Sequence, residues 1–329
     1  MRAMTGQLRI GIAGAGHFGR FHALKVAAAR RATLVGLYDP DVVRAGSVGR
    51  EVGGVPAMAL DALLGAVDAL IVAAPAEVHH ALASQALRSG RHVLIEKPIA
   101  STLAQADELA GLADAGGLVL QVGHLLRYSA EHKAISSRIT RPLYIEAARI
   151  APFKPRGTDV SVILDLMIHD LDLVLSLVDS PIASVDAVGA AVSSAHEDIA
   201  NARVRFANGC VAAITASRIS LKTERKMRLF SEEGYLSANF VDRKLVMIGR
   251  ERGLPLPGTG GFRREELGWT DHDSMAAEHE AFYASCLDGS PVLVDAAAGR
   301  RALEAALAVG ASMAESRRLA QVSGLLRGV

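Results

Sequence analysis

The chain has 329 residues, half of them hydrophobic, a length and composition that suit about two domains with a sizeable core. A formal net charge of +1 excludes a protein that coats nucleic acid through a dominant basic stripe. Its two cysteines, Cys210 and Cys286, stand far apart and in no CxxC spacing, which argues against a zinc site or disulfide framework and for a reducing cytoplasm. No apolar run reaches the roughly 18 residues of a membrane helix, and the N-terminus lacks a signal-peptide pattern, so no membrane partner is expected.

In chain order, short apolar runs at 8–14, 33–39, 68–74, 92–97 and 119–124 read as buried strands. Amphipathic stretches at 77–89 and 102–115 read as helices between them. Ser101-Thr102 caps the second helix, with Gln105 spaced to close a capping box. Strand and helix alternating in this way predict a doubly wound parallel sheet over residues 1–123. Beyond residue 124 the pattern changes. An apolar helix is expected over 161–178, and long alternating strands at 201–218 turn at Asn208-Gly209. The basic segment 222–228 reads as a solvated strand face, a further hairpin falls near 232–235, and the Gly- and Pro-rich segment 251–268 reads as a loop. Helices at about 273–288 and 295–316 close the chain. Residues 124–329 are therefore expected to form an α+β domain with a mostly antiparallel open sheet, its last helices free to pack back on the first domain.

The first strand runs into "GAGHFG" and then a helix. Gly14 permits the tight turn, Gly16 lets the backbone approach a pyrophosphate, and Gly19 lets helix and strand pack closely. The helix start offers unpaired N–H groups to phosphates. Asp39 ends the second strand, placed for an adenosine ribose; its carboxylate would repel a 2′-phosphate, which favours NAD over NADP, Arg44 being the nearby cation that weakens the argument. Ligands of such sheets lie beyond the strands' carboxyl ends. Ala74, Pro75 and His79 follow the third strand, Glu96, Lys97 and Pro98 the fourth, and His124 the fifth. The candidate cofactor contacts are thus Gly14, Gly16, His17, Phe18, Gly19, Asp39, Ala74, Pro75, His79, Glu96, Lys97 and His124. Lys97, at the mouth of a buried strand, is expected to face the reacting end of the nicotinamide.

The apolar helix at 161–178 carries Asp165, His169, Asp172 and Ser176 on one stripe that contains no Lys, Glu or Arg. Asp165 and His169, one turn apart, can orient an imidazole or hold a sugar hydroxyl. Asp170 lies off the stripe and is expected to make a structural contact. His169, Asp165 and His124 are possible metal ligands by type, but a nicotinamide enzyme with a lysine in its site needs no metal to polarise an alcohol, so none is expected.

Together "GAGHFG", "AAP" with His79, "EKP" and "DLMIHD" resemble the glucose–fructose oxidoreductase / inositol dehydrogenase / MocA (Gfo/Idh/MocA) family along nearly the whole chain. The resemblance implies an N-terminal Rossmann domain, and a C-terminal domain whose open sheet makes a homodimer or homotetramer. It implies that Lys97 and His169 are the catalytic pair, with either one the proton acceptor, that Asp165 helps bind substrate, and that the Lys97–Pro98 peptide is cis. "QVGHLLRY" and "IAPFKPRGTDVSVILDLMIHDLDL" further resemble the branch acting on nucleotide sugars. That implies oxidation of C3 of UDP-N-acetylglucosamine for lipid A or cell-envelope sugars, with Arg127, Tyr128, Lys154 and Arg156 beside the substrate. The strand end before His79 reads Ala-Ala-Pro-Ala and lacks the Thr and Asn of many relatives, leaving backbone groups to hold the nicotinamide. A dehydrogenase of a free sugar or polyol such as an inositol, and a non-catalytic NAD-binding regulator, are the alternative readings.

Overall fold

The computed structural model describes residues 6–153, 160–270 and 272–325. Its chain divides into two units, Met1–Tyr128 with Asp273–Leu303, and Ser129–His272 with Glu304–Val329. Among the described residues no helix is long and apolar enough to cross a membrane.

The first unit holds β1 (Leu8–Ala13), α1 (His17–Ala28), β2 (Ala32–Tyr38), α2 (Val42–Glu51), α3 (Leu60–Ala66), β3 (Ala69–Val72), α4 (Ala76–Arg88), β4 (His92–Glu96), α5 (Leu103–Gly116) and β5 (Leu120–Gly123). The five strands pair in parallel in the order β2-β1-β3-β4-β5. The order reverses at β1, and ligands of such sheets bind beyond the strand ends at that point. Alternate residues serve opposite faces. Leu8, Ile10, Ile12, Ile71 and Leu94 pack on one side, and Leu70, Val72, Val93 and Ile95 on the other. Burying each such side chain stabilises the unit by about 1.5–3 kcal/mol, and this explains why the strands read as continuous apolar runs. The capping box forms as spaced: Thr102 accepts the Gln105 N–H, and the Gln105 side chain accepts the Thr102 N–H.

The second unit begins with α6 (Ala130–Ser136) and β6 (Tyr144–Ile150), followed by a π turn at Ile163–Met167 that leads into α7 (Ile168–Leu177). Then come β7 (Ile182–Ala190), β8 (Ile199–Phe206), β9 (Val211–Ser217), β10 (Glu224–Ser231), β11 (Gly234–Asn239), β12 (Lys244–Gly249), β13 (Leu254–Pro255) and β14 (Arg263–Gly268). The nine strands run in the order β13-β14-β12-β11-β10-β6-β9-β8-β7, and every pairing is antiparallel except β6 with β9. Asn208-Gly209 makes the β8–β9 turn, with Gly209 at φ +91°. α8 (Ser274–Asp288) belongs to the first unit, and α9 (Ala296–Val322) begins in the first and ends in the second.

Two expectations are corrected here. Segment 251–268 is not all loop, because Arg263–Gly268 pairs along β12. Its charges concealed the strand, yet they are satisfied in place: Arg138 forks onto Glu265 at 2.9 and 3.2 Å. The basic segment of β10 is not wholly solvated either. Arg225 shares the covered face with Met227 and Leu229, its guanidinium 4.6 Å from the centre of the Phe240 ring. Burial, together with the charge of Arg149, lowers its pKa to about 10.

Candidate active site

The glycine turn between β1 and α1 is held from three sides. Gly14 donates its N–H to Tyr38 O at 2.8 Å, at φ +100°. A Cβ on Gly14 would lie 2.4 Å from Ala73 O, and one on Gly19 only 1.9 Å from Gly14 O, so both positions demand glycine for packing within the fold. Gly16 differs. A Cβ there would meet no atom within 4 Å, so its lack of a side chain leaves open space at the start of α1. That start has no side-chain cap and no acidic residue in its first turn, and the N–H groups and positive dipole end of a helix start suit a phosphate. His17 and Phe18 stand exposed there.

Asp39 is nearly buried and braces the turn: Ala15 donates its N–H to Oδ2 at 2.8 Å, and Asp41 donates to Oδ1 at 2.9 Å. Arg44 is engaged by two carboxylates, 3.3 Å from Asp39 and 3.4 Å from Asp41. Its charge is thus partly neutralised where a 2′-phosphate would need it. A cradle open at Gly16, with a carboxylate at the end of β2, fits a dinucleotide.

Lys97 and Glu96 are half-buried at the end of β4, and the Lys97–Pro98 peptide is cis. Glu96 Oε1 lies 2.9 Å from His22 Nε2, and Oε2 accepts the Lys97 N–H at 3.3 Å. Burial pushes the Glu96 pKa up, but the hydrogen bond from His22 and the charge of Lys97 outweigh it and hold the carboxyl below its ordinary range. Two residues expected beside the cofactor, His79 and His124, are buried. His79 is 1% exposed, with Nδ1 2.8 Å from Pro98 O and Nε2 2.8 Å from Ala74 O. Its ring ties the end of β3 to the loop after Lys97. His124 is buried as well, as is Tyr128 in the following 3₁₀ turn, whereas Arg127 keeps partial exposure. Burial of histidines at strand ends depends on the packing of distant segments, which the local sequence does not record.

In the second unit, Asp165 sits in the π turn and His169 in the first turn of α7, both half-buried. The continuous α-helix expected over 161–178 is therefore interrupted, and its stripe with it. Asp172 is buried, and Ser176 donates to Leu173 O at 2.6 Å while lying 3.1 Å from His132 Nε2. Asp170 makes the structural contact expected of it: Arg149 donates to both its oxygens, at 2.7 and 2.9 Å, and anchors α7 to β6. The approach to the π turn is pinned by a cluster that sequence reasoning missed. Arg218 donates to Val160 O and to Asp198 Oδ1, each at 2.8 Å, and Asp198 also accepts the N–H groups of Val192, Ser193 and Ser194. Single-turn π segments of this kind are frequent at functional sites. Lys154 and Arg156 lie outside the described residues. Among the described residues no three His, Cys, Asp or Glu side chains converge to hold a metal ion.

Residues 8–124 match a family model described as an oxidoreductase family with an NAD-binding Rossmann fold, and residues 134–237 match the GFO/IDH/MocA C-terminal domain. UDP-N-acetylglucosamine 3-dehydrogenase of Acidithiobacillus ferrooxidans is 41% identical over 306 residues, 92% of this chain and 96% of that protein. A solved structure of that enzyme superposes with a TM-score of 0.87 at 40% identity, covering 93% of this chain and 97% of the other. Scyllo-inositol dehydrogenase from Lactobacillus casei, solved with NAD(H) and scyllo-inositol, superposes with a TM-score of 0.78, covering 94% and 98%. At 20% identity that likeness speaks for the fold alone.

Proposed function

The chain belongs to the Gfo/Idh/MocA family of oxidoreductases with an NAD-binding Rossmann fold, and from that premise we propose that it oxidises C3 of UDP-N-acetylglucosamine to a ketone for cell-envelope sugar synthesis. The observation that carries the substrate is the 41% identity to a UDP-N-acetylglucosamine 3-dehydrogenase, sustained over 96% of that protein. An alcohol oxidised in this way loses a hydride from carbon and a proton from oxygen. When bound, NAD supplies the hydride acceptor.

The chain's own residues handle the proton and the charge. Lys97 is assigned to hydrogen-bond the reacting oxygen and stabilise its developing charge, and His169 to take the hydroxyl proton, with Asp165 holding a sugar hydroxyl. Such acid–base help contributes about 10²–10⁴-fold. Arg127, Lys154 and Arg156 are assigned to the diphosphate. The finer reading includes a homodimer or homotetramer through the open face of the nine-stranded sheet, where Glu146, Lys226 and Arg228 line a shallow cavity; sedimentation tests it.

The deciding experiment incubates the protein with NAD and, in parallel, with UDP-N-acetylglucosamine, free N-acetylglucosamine or myo-inositol. NADH formation with the UDP-sugar, and a product two hydrogens lighter with its carbonyl at C3, is the expected result. Turnover of inositol or the free sugar without turnover of the UDP-sugar would overturn the proposal and return the polyol alternative. Neutralising Arg127, Lys154 and Arg156 should raise KM for the UDP-sugar and leave NAD affinity nearly unchanged.

A further inference from the structure

Behind the end of β4 lies a file of buried polar side chains to which the proposed reaction gives no part. His22 of α1 is fully buried, with Nε2 2.9 Å from Glu96 Oε1 and Nδ1 2.7 Å from His279 Nε2 of α8. His279 Nδ1 lies 3.2 Å from the Tyr283 hydroxyl one turn further along α8. The two imidazole planes lie within 9° of each other with centroids 5.0 Å apart, longer than the N···N distance by about two ring radii, so the rings meet edge to edge in one plane.

We propose that His22, His279 and Tyr283 are positioning residues for Lys97, acting through Glu96 as a one-way file of hydrogen bonds: Tyr283 O–H to His279 Nδ1, His279 Nε2–H to His22 Nδ1, His22 Nε2–H to Glu96 Oε1. The other oxygen of Glu96 takes the Lys97 N–H, so the file fixes the carboxylate against which the lysine backbone is set. This rests on the assignment of Lys97 to catalysis.

The direction follows from donor and acceptor counting. A neutral imidazole donates at one nitrogen and accepts at the other, so the state of Glu96 decides the order of the whole file. An ionised Glu96 can only accept, which makes His22 Nε2 a donor and, with both rings neutral, orders the rest as written; an imidazolium at His22 would donate at both nitrogens and turn His279 and Tyr283 round. With neutral rings the opposite order requires a protonated Glu96. The cluster opposes that: Glu96 is held below its ordinary range, and burial keeps His279 neutral and pushes the Tyr283 phenol up. Glu278, also on α8, is fully buried, and burial with the Glu96 charge raises its pKa well above the carboxylate range, which leaves the negative charge on Glu96. A proton conduit is excluded by the far end, because Tyr283 is 0% exposed and packs in the apolar cluster of Leu8, Ile10 and Phe282. The file ends in the core, as a fixed support does.

The test uses the intact protein. Selective ¹⁵N labelling of histidine reads the imidazole tautomers of the wild type, with His22→Gln assigning the His22 signal. Kinetics with NAD and UDP-N-acetylglucosamine, NAD titration and thermal unfolding are measured on Tyr283→Phe, His22→Leu, His22→Gln and Lys97→Met. We expect neutral Nε2–H tautomers at His22 and His279. We expect kcat to fall about tenfold in His22→Leu and about threefold in Tyr283→Phe, as loss of one hydrogen bond implies, with NAD affinity within about twofold. His22→Gln, whose amide can donate near Nε2, should recover part of the loss. An Nδ1–H tautomer or an imidazolium at either ring overturns the file, and the spectra decide this even where a variant fails to fold. Normal kcat in Tyr283→Phe and His22→Leu beside an inactive Lys97→Met overturns the positioning role alone. Near-normal kcat in Lys97→Met overturns the catalytic assignment of the lysine, and this role with it.

Discussion

Replacing the three turn glycines one at a time should separate cofactor binding from folding. Gly16 has φ −72° and ψ −161°, which alanine adopts freely, and its added methyl would meet nothing within 4 Å. Gly16→Ala should therefore keep or slightly raise stability, by about 0.4–1 kcal/mol, because the unfolded chain loses freedom. The methyl would occupy the open space at the start of α1 that a pyrophosphate needs. Displacing one charge-assisted hydrogen bond there costs about 1.5–3 kcal/mol, or roughly 10- to 150-fold in the Kd for NAD. Gly14→Ala should do the reverse. At φ +100°, with its Cβ 2.4 Å from Ala73 O, the strain alone costs about 1–3 kcal/mol, lowering Tm by roughly 2–12 °C. Gly19→Ala, whose Cβ would lie 1.9 Å from a carbonyl oxygen, should destabilise at least as much. Titration calorimetry for Kd and scanning calorimetry for Tm check all three. A Gly16→Ala protein that binds NAD like the wild type, or a Gly14→Ala protein that melts with it, would refute the reasoning.

Asp39→Ser should narrow the preference for NAD over NADP, read as the ratio of the two kcat/KM values. It should also lower Tm, because Ala15 loses a buried acceptor; a wild type that already prefers NADP would contradict the reading of this strand end. Asp198→Asn leaves the Arg218 guanidinium without its buried counter-charge and should cost about 3–5 kcal/mol near neutral pH. Burial opposes ionisation of Asp198, but backbone N–H groups and Arg218 outweigh it and hold the carboxyl well below the usual range. A folded pKa below the unfolded one stabilises above the unfolded value, so the Tm gap between wild type and Asp198→Asn should shrink as pH falls below about 4; a gap that widens on acidification would contradict the argument. Lys97→Met and His169→Asn should each lower kcat by at least about 10²-fold with NAD still binding, and the double variant should be little worse than either single.

What sequence made legible were the features whose cause is local. The five parallel strands follow from short apolar runs, the β8–β9 turn from Asn208-Gly209, and the start of α5 from Thr102 and Gln105. The placement of Asp170 off the helix stripe sufficed to assign it a structural partner. Features set by distant partners stayed hidden. No glycine or proline marks the π turn at Ile163–Met167; its approach is pinned by Arg218, 58 positions from the Val160 carbonyl it binds. β14 was masked by its own charges, which find Arg138 only in the folded sheet. The burial of His79 and His124 depends on packing around the strand ends, and no period in the local sequence records it.

The end of β4 shows why the hidden part matters most at the site. Val93, Leu94 and Ile95 are 0% exposed, and a strand so buried would be simplest to finish with another apolar residue. It finishes instead with Glu96 and Lys97, and the carboxylate loses most of its solvation. Replacing a buried charged group and its partners by apolar residues of similar size is often neutral or stabilising, so stability alone gives little reason for a Glu–His–His–Tyr file in this core. Its partners are 257 positions apart, contributed by α1 and α8, and each ring nitrogen has a distinct neighbour. A cluster of that cost is accounted for when the group beside it must be held in one orientation, and the group beside it is Lys97.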